Sequence, residues 1–478
     1  MKTITRKIVL FITFISVMIL AKDMTVKAET APQINANATF SNGNGDAVLD
    51  SNYNTEILMN AGESVTITLD EQASGVYIIW GQPVEKWTLN YGKKKETRGN
   101  NGFLHEYIEF ETPVTEFTIV CDGGNTLTDI YCYGQGDLPE DVQVWEPMCE
   151  KADMLLISTH ADDEILFFGG ILPYYAGEMK YNIQVVYFSE YWTGAKIREH
   201  EKLDGLWHAG VRNYPFTGNF PDLYAEDLES AKNVFNVEDT IGFIVEMIRK
   251  FKPLVVVAQD ENGEYGHGAH MLTSYATEEA VKISMDAARY ADSATTYGVW
   301  DVPKTYLHLY GENQIVLDCR SPLTAFGGKT TLEVASESYK KHVSQQWCWF
   351  YVDDEYEYSC AKYGLYRTNV GVDTTNNMLE NVVDYKTQAE EESQRLEEES
   401  IKESEAIAES ESKEQESIEQ AKEQERKDNE KKDSNKRIIT ILLVILAAIV
   451  LLGGTYLVLL MRAAKRRKLR KKRNSKRR

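Results

Sequence analysis

The sequence predicts an α/β domain with a Rossmann-like, mostly parallel sheet, preceded by a β-sandwich and followed by a charged stalk and one transmembrane helix. Three observations support this organisation. Residues 150–380 alternate buried-strand runs with helical patterns, which is typical of a parallel sheet with helices on both faces. Residues 33–137 show short alternating segments without helical periodicity. Residues 438–461 form an uncharged, apolar run that is long enough to span a bilayer.

The first segment, residues 1–28, has the pattern of a secretory signal peptide. Basic residues come first, an apolar core follows at 8–21, and Val26-Lys27-Ala28 offers a small-x-small cleavage site. This pattern predicts that the domains after residue 28 lie outside the cell.

Residues 33–137 predict an antiparallel β-sandwich that resembles a galactose-binding-type jelly roll. Gly, Asn and Asp clusters separate short segments such as 64–69 and 75–80. Trp80, Trp87 and Tyr91 could line a sugar platform. The alternative is that they belong to the core, which is the commoner place for aromatic residues in sandwiches.

Residues 150–380 predict the α/β domain through alternating elements. The predicted strands cover 154–159, 183–189 and 254–259, and the predicted helices cover 164–177, 196–209, 237–251 and 271–288. A Gly-rich phosphate-binding turn is missing, because Gly169-Gly170 lies inside a helical pattern. The sequence therefore disfavours a dinucleotide-binding function.

Polar residues with metal-binding chemistry follow the first predicted strand. His160 and Asp163 are three residues apart, so they can bind one divalent cation, and Asp162 can act as a base. Loops at the carboxyl edge of a parallel sheet carry the chemistry of many α/β proteins. The alternative is an acidic loop that caps a helix N-terminus, where carboxylates suit the helix dipole.

A second loop with the same potential follows the strand at 254–259. It is rich in glycine and contains His267 and His270 before the next predicted helix. Because such loops converge in an open α/β sheet, His160, Asp163 and His270 would form a three-ligand set with one position left for water. The alternative is a structural histidine pair that only forms hydrogen bonds.

Both loops resemble the PIG-L/LmbE family of zinc-dependent N-acetylglucosaminyl de-N-acetylases over residues 150–380. The run His160–Glu164 resembles the family's His-Pro-Asp-Asp-Glu signature, although Ala161 replaces the proline that stiffens this loop. His267–His270 resembles its His-x-x-His element, and Arg198–Glu201 resembles its Arg-x-x-Glu helix. The resemblance implies a Rossmann-like deacetylase domain.

The resemblance also implies a role for each of these residues. Zinc would be held by His160, Asp163 and His270, Asp162 would be the general base, and His267 would stabilise the oxyanion as an imidazolium. Weaker candidates for substrate binding are Arg198, whose alternative is a surface salt bridge with Glu201 or Asp204, and Asp222.

The function expected from this resemblance is removal of the N-acetyl group from N-acetylglucosamine-type sugars of a cell-surface glycan or glycolipid. Two other functions stay open. One is a non-catalytic surface protein that binds glycans or mediates adhesion, and the other is an amidase of the same mechanism that acts on a non-sugar conjugate.

The C-terminal part predicts a membrane anchor. Residues 386–436 are a stalk of Glu, Lys and Ser, either a charged helix or a disordered spacer. The transmembrane helix is predicted at 438–461, and the basic tail at 462–478 is expected in the cytoplasm. The predicted localisation is therefore the cell membrane, single-pass, with the membrane as a partner and the N-terminal domains extracellular.

Charge and cysteine content limit the partners further. The formal net charge is −22, which argues against nucleic acid and other polyanions as ligands. Six cysteines in an oxidising environment could form disulfides, for example Cys121–Cys132 or Cys348–Cys360. The alternative is that all six are free, buried thiols.

Overall fold

The computed structural model describes residues 29–429, 443–458 and 460–461. The predicted signal peptide at 1–28 and basic tail at 462–478 lie outside the described residues, as does the end of the predicted stalk. The chain divides into two compact units, Met1–Asp384 and Tyr385–Arg478.

The N-terminal β domain is one antiparallel sheet whose described part has nine strands. The strands are β1 Gln33–Ile34, β2 Ala36–Phe40, β3 Gly43–Asn44, β4 Ile57–Met59, β5 Ser64–Trp80, β6 Trp87–Tyr91, β7 Lys94–Arg98, β8 His105–Cys121 and β9 Asn125–Tyr133. The predicted segments 64–69 and 75–80 are the two halves of β5, and the register of β5 against β8 shifts between Thr68 and Gly75. The nine strands are joined by hydrogen bonds into a single sheet. The two stacked sheets of the expected β-sandwich therefore remain a prediction.

Aromatic residues of this domain lie in its core. Trp80 and Trp87 are completely buried against each other, with ring centroids 5.1 Å apart, and Tyr91 is also buried. The predicted sugar platform of Trp80, Trp87 and Tyr91 is therefore wrong, since none of these rings has a face available to a ligand. Their burial stabilises the domain by the large apolar area of the indole rings.

The second domain contains a seven-stranded mixed sheet. Its strands are β10 Met154–Ser158, β11 Ile183–Glu190, β12 Phe216–Pro221, β13 Val255–Ala258, β14 Lys304–His308, β15 Gln314–Val316 and β16 Lys362–Thr368. The order is β12-β11-β10-β13-β14-β16-β15, with the first five strands parallel and the last two antiparallel to their neighbours. After β10 the chain forms β11 and β12 on one side of β10, and then crosses to form β13 on the other side. The loops after β10 and β13 therefore meet at a topological switch point.

Helices cover this sheet as the sequence predicts, with one exception. They are α1 Asp163–Leu166, a π-helix Pro173–Glu178, α2 Ile197–His208, α3 Leu228–Val234, α4 Val237–Phe251, α5 Gly268–Ile283, α6 Ala291–Tyr297 and α7 Thr331–Tyr339. Short 3₁₀ turns occur at Asp46–Val48, Glu264–Gly266, Thr324–Phe326 and Val343–Gln345. The predicted helix 164–177 is broken after α1. A Cβ on Gly170 would lie 2.2 Å from the carbonyl oxygen of Cys360, so the chain here passes directly against another backbone segment.

The β domain packs directly against the α/β domain within the first unit. His105 on β8 and His200 on α2 are buried and their Nε2 and Nδ1 atoms are 2.9 Å apart. The backbone N–H of Leu104 donates to the hydroxyl of Tyr214 at 2.9 Å. A cavity of about 450 Å³ lies between the domains and is lined by Tyr53, Tyr77 and Asp204, among others.

Cys121, Cys132, Cys348 and Cys360 are free thiols. The suggested pairs Cys121–Cys132 and Cys348–Cys360 are therefore not formed. Cys121, Cys132 and Cys360 are buried as small apolar side chains instead.

The second unit begins with one long helix, α8 Tyr385–Asn429. Its sequence is rich in Glu, Lys and Ser, and this helix is one of the two forms expected for the stalk. Its role as a stalk stays a prediction.

The transmembrane helix predicted at 438–461 is wrong, and with it the single-pass membrane localisation. Within the described ranges, no helix is both long and apolar enough to cross a membrane. Residues 438–442 and 459 of the predicted span lie outside the described part of the chain.

Candidate metal centre and active site

The loop after β10 carries the predicted His and Asp residues in a strained conformation. Asp162 has φ +132° and lies immediately before α1, and its backbone N–H donates to Glu164 Oε2 at 2.7 Å. Such a positive φ is costly for a residue with a side chain, and strain of this kind is concentrated at functional sites. The loop therefore directs successive side chains, Asp162 and Asp163, to different places in the site.

The loop after β13 brings the second group of residues. Gly263 adopts φ +67°, and a Cβ there would lie 2.6 Å from the carbonyl oxygen of His267, so the tight turn requires glycine. The turn places His267 just before α5 and His270 in its first turn. As a result, His270 points back towards the loop after β10.

Three donor atoms from the two loops converge on one point. His160 Nδ1 is 3.1 Å from Asp163 Oδ2 and 3.0 Å from His270 Nε2, and His270 Nε2 is 3.2 Å from Asp163 Oδ2. All three residues are buried. The three atoms thus form a nearly equilateral triangle.

Hydrogen bonds fix the position of Asp163. Its Oδ2 accepts from the backbone N–H of His160 at 2.8 Å and from Gln259 Nε2 at 3.0 Å. Burial alone would raise the pKa of Asp163, but His270 and His160 hold it well below its usual range. Asp163 is therefore an ionised carboxylate that faces two imidazole rings.

A buried carboxylate on the far side orients His270. Glu264 Oε2 is 2.7 Å from His270 Nδ1, and Glu264 Oε1 is 2.6 Å from His308 Nδ1. His308 Nε2 donates in turn to the carbonyl oxygen of Ser359 at 2.9 Å. Burial alone would raise the pKa of Glu264, but the two histidines lower it to about 2. Glu264 can therefore accept a proton from His270 Nδ1, and Nε2 is the ring nitrogen that faces the triangle.

The triangle fits a tetrahedral metal ion. Ligand bonds of about 2.0–2.1 Å in a tetrahedral arrangement place donor atoms about 3.3 Å apart, close to the separations observed here. Three electron-rich atoms that face one another need a positive charge between them. Consistent with this, burial alone would lower the pKa of His270, but Asp163 and Glu264 raise it to about 10. The chemistry of one carboxylate and two imidazoles suits zinc with an open fourth position.

Asp162 lies beside this triangle and is bound by Arg198. Arg198 Nη2 donates to Asp162 Oδ1 at 3.1 Å and to the carbonyl oxygen of Ala161 at 2.5 Å, and its guanidinium lies 4.2 Å above the ring of Tyr191. Arg198 is only 9% exposed. The alternative of a surface salt bridge with Glu201 or Asp204 is therefore wrong.

Asp222 lies between Arg198 and His160. Its Oδ2 is 3.4 Å from Arg198 Nη1, and its Oδ1 is 3.6 Å from His160 Nε2. The Asp222 side chain is 40% exposed, so it can contact both solvent and the site. Arg198 and Asp222, the two weaker candidates for substrate binding, thus both lie beside the candidate metal centre.

His267 completes the group of histidines. Ligand atoms of His160, His267 and His270 all lie within 4.8 Å of one another, so this second three-donor set could also hold a metal ion. Burial, together with His270 and His160, lowers the pKa of His267 to about 3. The neutral ring is therefore favoured, which does not support the imidazolium form implied by the resemblance.

Three supporting residues were not singled out from the sequence. Gln259 holds Asp163, Glu264 holds His270, and Glu164 Oε1 lies 2.8 Å from His342 Nε2. Glu264 could have been suspected, since it precedes His270 by six residues in the same turn-rich loop. Gln259 gave no such signal, because its role depends on the adjacency of β10 and β13.

The fold and the site together define an α/β protein with a candidate metal-dependent hydrolase centre. Residues 155–281 match the family model described as GlcNAc-PI de-N-acetylase, PIG-L, so the chain contains a domain of the PIG-L family. This agrees with the resemblance seen in the sequence.

Curated relatives are similar to part of this chain. The chain is 27% identical over 179 residues to the 1D-myo-inositol 2-acetamido-2-deoxy-alpha-D-glucopyranoside deacetylase of Rhodococcus erythropolis, covering 32% of this chain and 59% of that protein. It is 34% identical over 188 residues to the protein of the same description from Geodermatophilus obscurus, covering 33% and 62%. The chain thus spans less than two thirds of either relative.

A solved structure is also similar to this chain. It is the N,N'-diacetylchitobiose deacetylase from Pyrococcus horikoshii, with 18% sequence identity and a TM-score of 0.32. The similarity covers 41% of this chain and 71% of that one.

Proposed function

We propose that this protein is a zinc-dependent hydrolase that removes the N-acetyl group from N-acetylglucosamine-type sugars of a glycan or glycolipid. The observation that carries the proposal is the triangle of His160 Nδ1, Asp163 Oδ2 and His270 Nε2, with edges of 3.0–3.2 Å. The PIG-L match and the names of the curated relatives support the amide of an acetylated amino sugar as the bond that is cleaved.

The residues of the triangle would hold the metal ion. A zinc ion at this point would polarise the amide carbonyl and lower the pKa of a water molecule towards about 7. Glu264 would keep the His270 ring in the orientation needed for binding, and Gln259 would do the same for Asp163.

Asp162 would act as the general base. Its Oδ1 accepts from Arg198, so Oδ2 would take the proton of the attacking water as the water adds to the acetamide carbonyl. Asp162 would then deliver that proton to the nitrogen of the leaving amine. Acetate and a free amino sugar are the products. Arg198 and Asp222 would contact the sugar from the exposed side.

Hydrolysis can be tested with the zinc-loaded full chain and N-acetylglucosamine conjugates. The expected result is equal release of acetate and free amine, loss of activity with a chelator, and recovery when zinc is added. Activity that survives complete removal of metal would contradict the proposal. Amine release from a non-sugar acetamide in preference to all acetylated amino sugars would favour the alternative amidase.

A further inference from the structure

Aromatic rings lead outward from the candidate metal centre. The Tyr265 ring centroid lies 5.3 Å from that of His270 and 5.5 Å from that of His267. Phe350 follows at 4.5 Å from Tyr265, and Trp349 at 4.2 Å from Phe350. The histidines of the site are therefore continuous with a row of rings that ends in a tryptophan.

The row ends on a loop whose aromatic side chains are unusually exposed. Trp347 is 82% exposed and Trp349 is 62% exposed, and Tyr351 beside them is 50% exposed. Burying a tryptophan stabilises a protein strongly, so two exposed tryptophans on one loop are not explained by packing. Clusters of exposed apolar side chains next to a cleft typically mark a binding surface.

The loop after β12 contributes another aromatic ring next to the candidate metal centre. Tyr224, in the loop after β12, is 72% exposed, and its ring centroid lies 5.5 Å from that of His267. Rings from separate parts of the chain therefore surround the entrance to the site. We call this set the aromatic rim; its members are Tyr224, Tyr265, Phe350 and Trp349.

The chemistry of the aromatic rim selects among possible occupants. The flat face of a pyranose ring carries C–H groups that pack on an aromatic ring, while its hydroxyl groups need acceptors at the edge. Glu357, exposed on the same loop as Trp349, would be one such acceptor, while Glu355 pairs with Arg320 at 3.0 Å. The negative charge of Glu357 disfavours an anionic ligand. A single sugar at the metal centre would not reach from His267 to Trp349, because two rings lie between them.

We propose that the aromatic rim binds the sugar units that flank the unit being deacetylated, so that the substrate is an oligosaccharide chain. This inference rests on the proposed function and adds the substrate class. Trp349 would determine the preference for chain length, since it is the last ring of the row. The continuity of the rim with the metal centre favours this occupant over a protein partner.

Chain length provides the test. The zinc-loaded full chain would be assayed for acetate release from β-1,4-linked N-acetylglucosamine, as the monomer and as the tetramer. Trp349→Ala should lower the ratio of kcat/KM for tetramer to that for monomer by about tenfold, the loss expected for one aromatic contact. The control Tyr174→Ala removes an aromatic side chain that is 36% exposed on the π-helix and should leave the ratio unchanged. Equal ratios in Trp349→Ala and the wild type would overturn the proposal.

A binding measurement separates this proposal from the proposed function. The tetramer would be titrated by tryptophan fluorescence against the wild type, Trp349→Ala and Tyr53→Ala, the last of which alters the cavity between the domains. Binding that is weakened in Trp349→Ala but not in Tyr53→Ala supports the rim even if no acetate is released. Three results would overturn it: no binding of the tetramer, loss of binding only in Tyr53→Ala, or self-association that Trp349→Ala abolishes.

Discussion

Asp163 is the residue on which the candidate site depends most closely. One of its oxygens contacts His160 and His270 and also accepts from the backbone of His160 and the side chain of Gln259. The neighbouring Asp162 instead faces Arg198. Two adjacent carboxylates therefore have different environments, one suited to a metal and one to a proton.

Asp162→Asn should abolish hydrolysis while the protein still binds metal. Asparagine keeps an oxygen that can accept from Arg198 but cannot take a proton, and the loss of a general base costs about 10²–10⁴-fold in rate. Acetate release and elemental analysis of the same sample provide the two readouts. Loss of the metal from this variant, or full activity, would contradict the role of Asp162.

Glu264→Gln should weaken zinc binding while leaving the three ligands in place. The amide cannot hold the proton on His270 Nδ1 as a carboxylate does, and loss of such a supporting partner lowers metal affinity by about 10–100-fold. Competition with a chromogenic chelator measures this affinity. Glu261→Gln, an exposed change in the same loop, is the matched control. Equal affinity in the two variants would show that Glu264 does not orient His270.

At the scale of single residues, local motifs in the sequence predicted His160, Asp162, Asp163, His267 and His270 as candidate site residues. The structure brings these residues together, and their roles stay a prediction. Arg198 was more difficult to assign, since its partners Asp162 and Asp222 are far from it in the sequence. For Trp80 and Trp87 the sequence left two interpretations open, a sugar platform and the core. Alternation alone does not tell which face of a strand is covered.

The elements of the α/β domain follow the predicted alternation closely. Helix α4 at Val237–Phe251 has the predicted bounds, and α5 begins three residues earlier than predicted, which puts His270 on the helix. The predicted helix at 164–177 is interrupted because Gly170 lies against the backbone of Cys360, a contact between distant segments. Such long-range contacts are not encoded in the period of a helix.

One buried arginine connects two of these elements. Arg249, near the end of α4, is completely buried and donates to the carbonyl oxygens of Ser284, Asp286, Arg289 and Tyr290. An arginine in the last turn of an amphipathic helix usually faces solvent, so its role could not be predicted. It fixes the segment between α5 and α6.

Arg249→Met should lower the free energy of unfolding by about 3 kcal/mol, because several buried carbonyl groups lose their donor. Chemical denaturation measures this change. Glu246→Gln on the same helix, which is only partly buried, should change it by less than about 0.5 kcal/mol. A similar value for both variants would show that the arginine does not stabilise this contact.

At the scale of the whole molecule, the interface between the β domain and the α/β domain contains buried titratable groups. Burial lowers the pKa of His105 to about 3 and holds that of His200 well below its usual range. The hydroxyl of Tyr77 and the amide of Gln143 also contact His105, and Asp204 Oδ1 is 3.7 Å away. Burial raises the pKa of Asp204 to about 7, which has the opposite effect on stability at low pH.

Acidification should therefore destabilise the interface through the histidines. A histidine that is neutral when folded contributes its full stability above its unfolded pKa of 6.5 and loses it as the pH falls towards about 3. At pH 5 the loss is about 2 kcal/mol for His105, and His200 acts in the same direction. Because Asp204 acts in the opposite sense, the test is the difference between the wild type and His105→Gln in unfolding free energy at pH 7 and pH 5. The variant should lose less stability than the wild type, and an equal or larger loss would contradict the assignment.

Zinc content of the purified full chain is the measurement that tests the central claim most directly. It requires no knowledge of the substrate, and it depends only on whether His160, Asp163 and His270 bind an ion together. After zinc is supplied and the excess removed, we expect about one zinc per chain for the wild type and none for His270→Ala. No zinc in the wild type, or the same amount in His270→Ala, would contradict the metal centre and the hydrolytic function that is built on it.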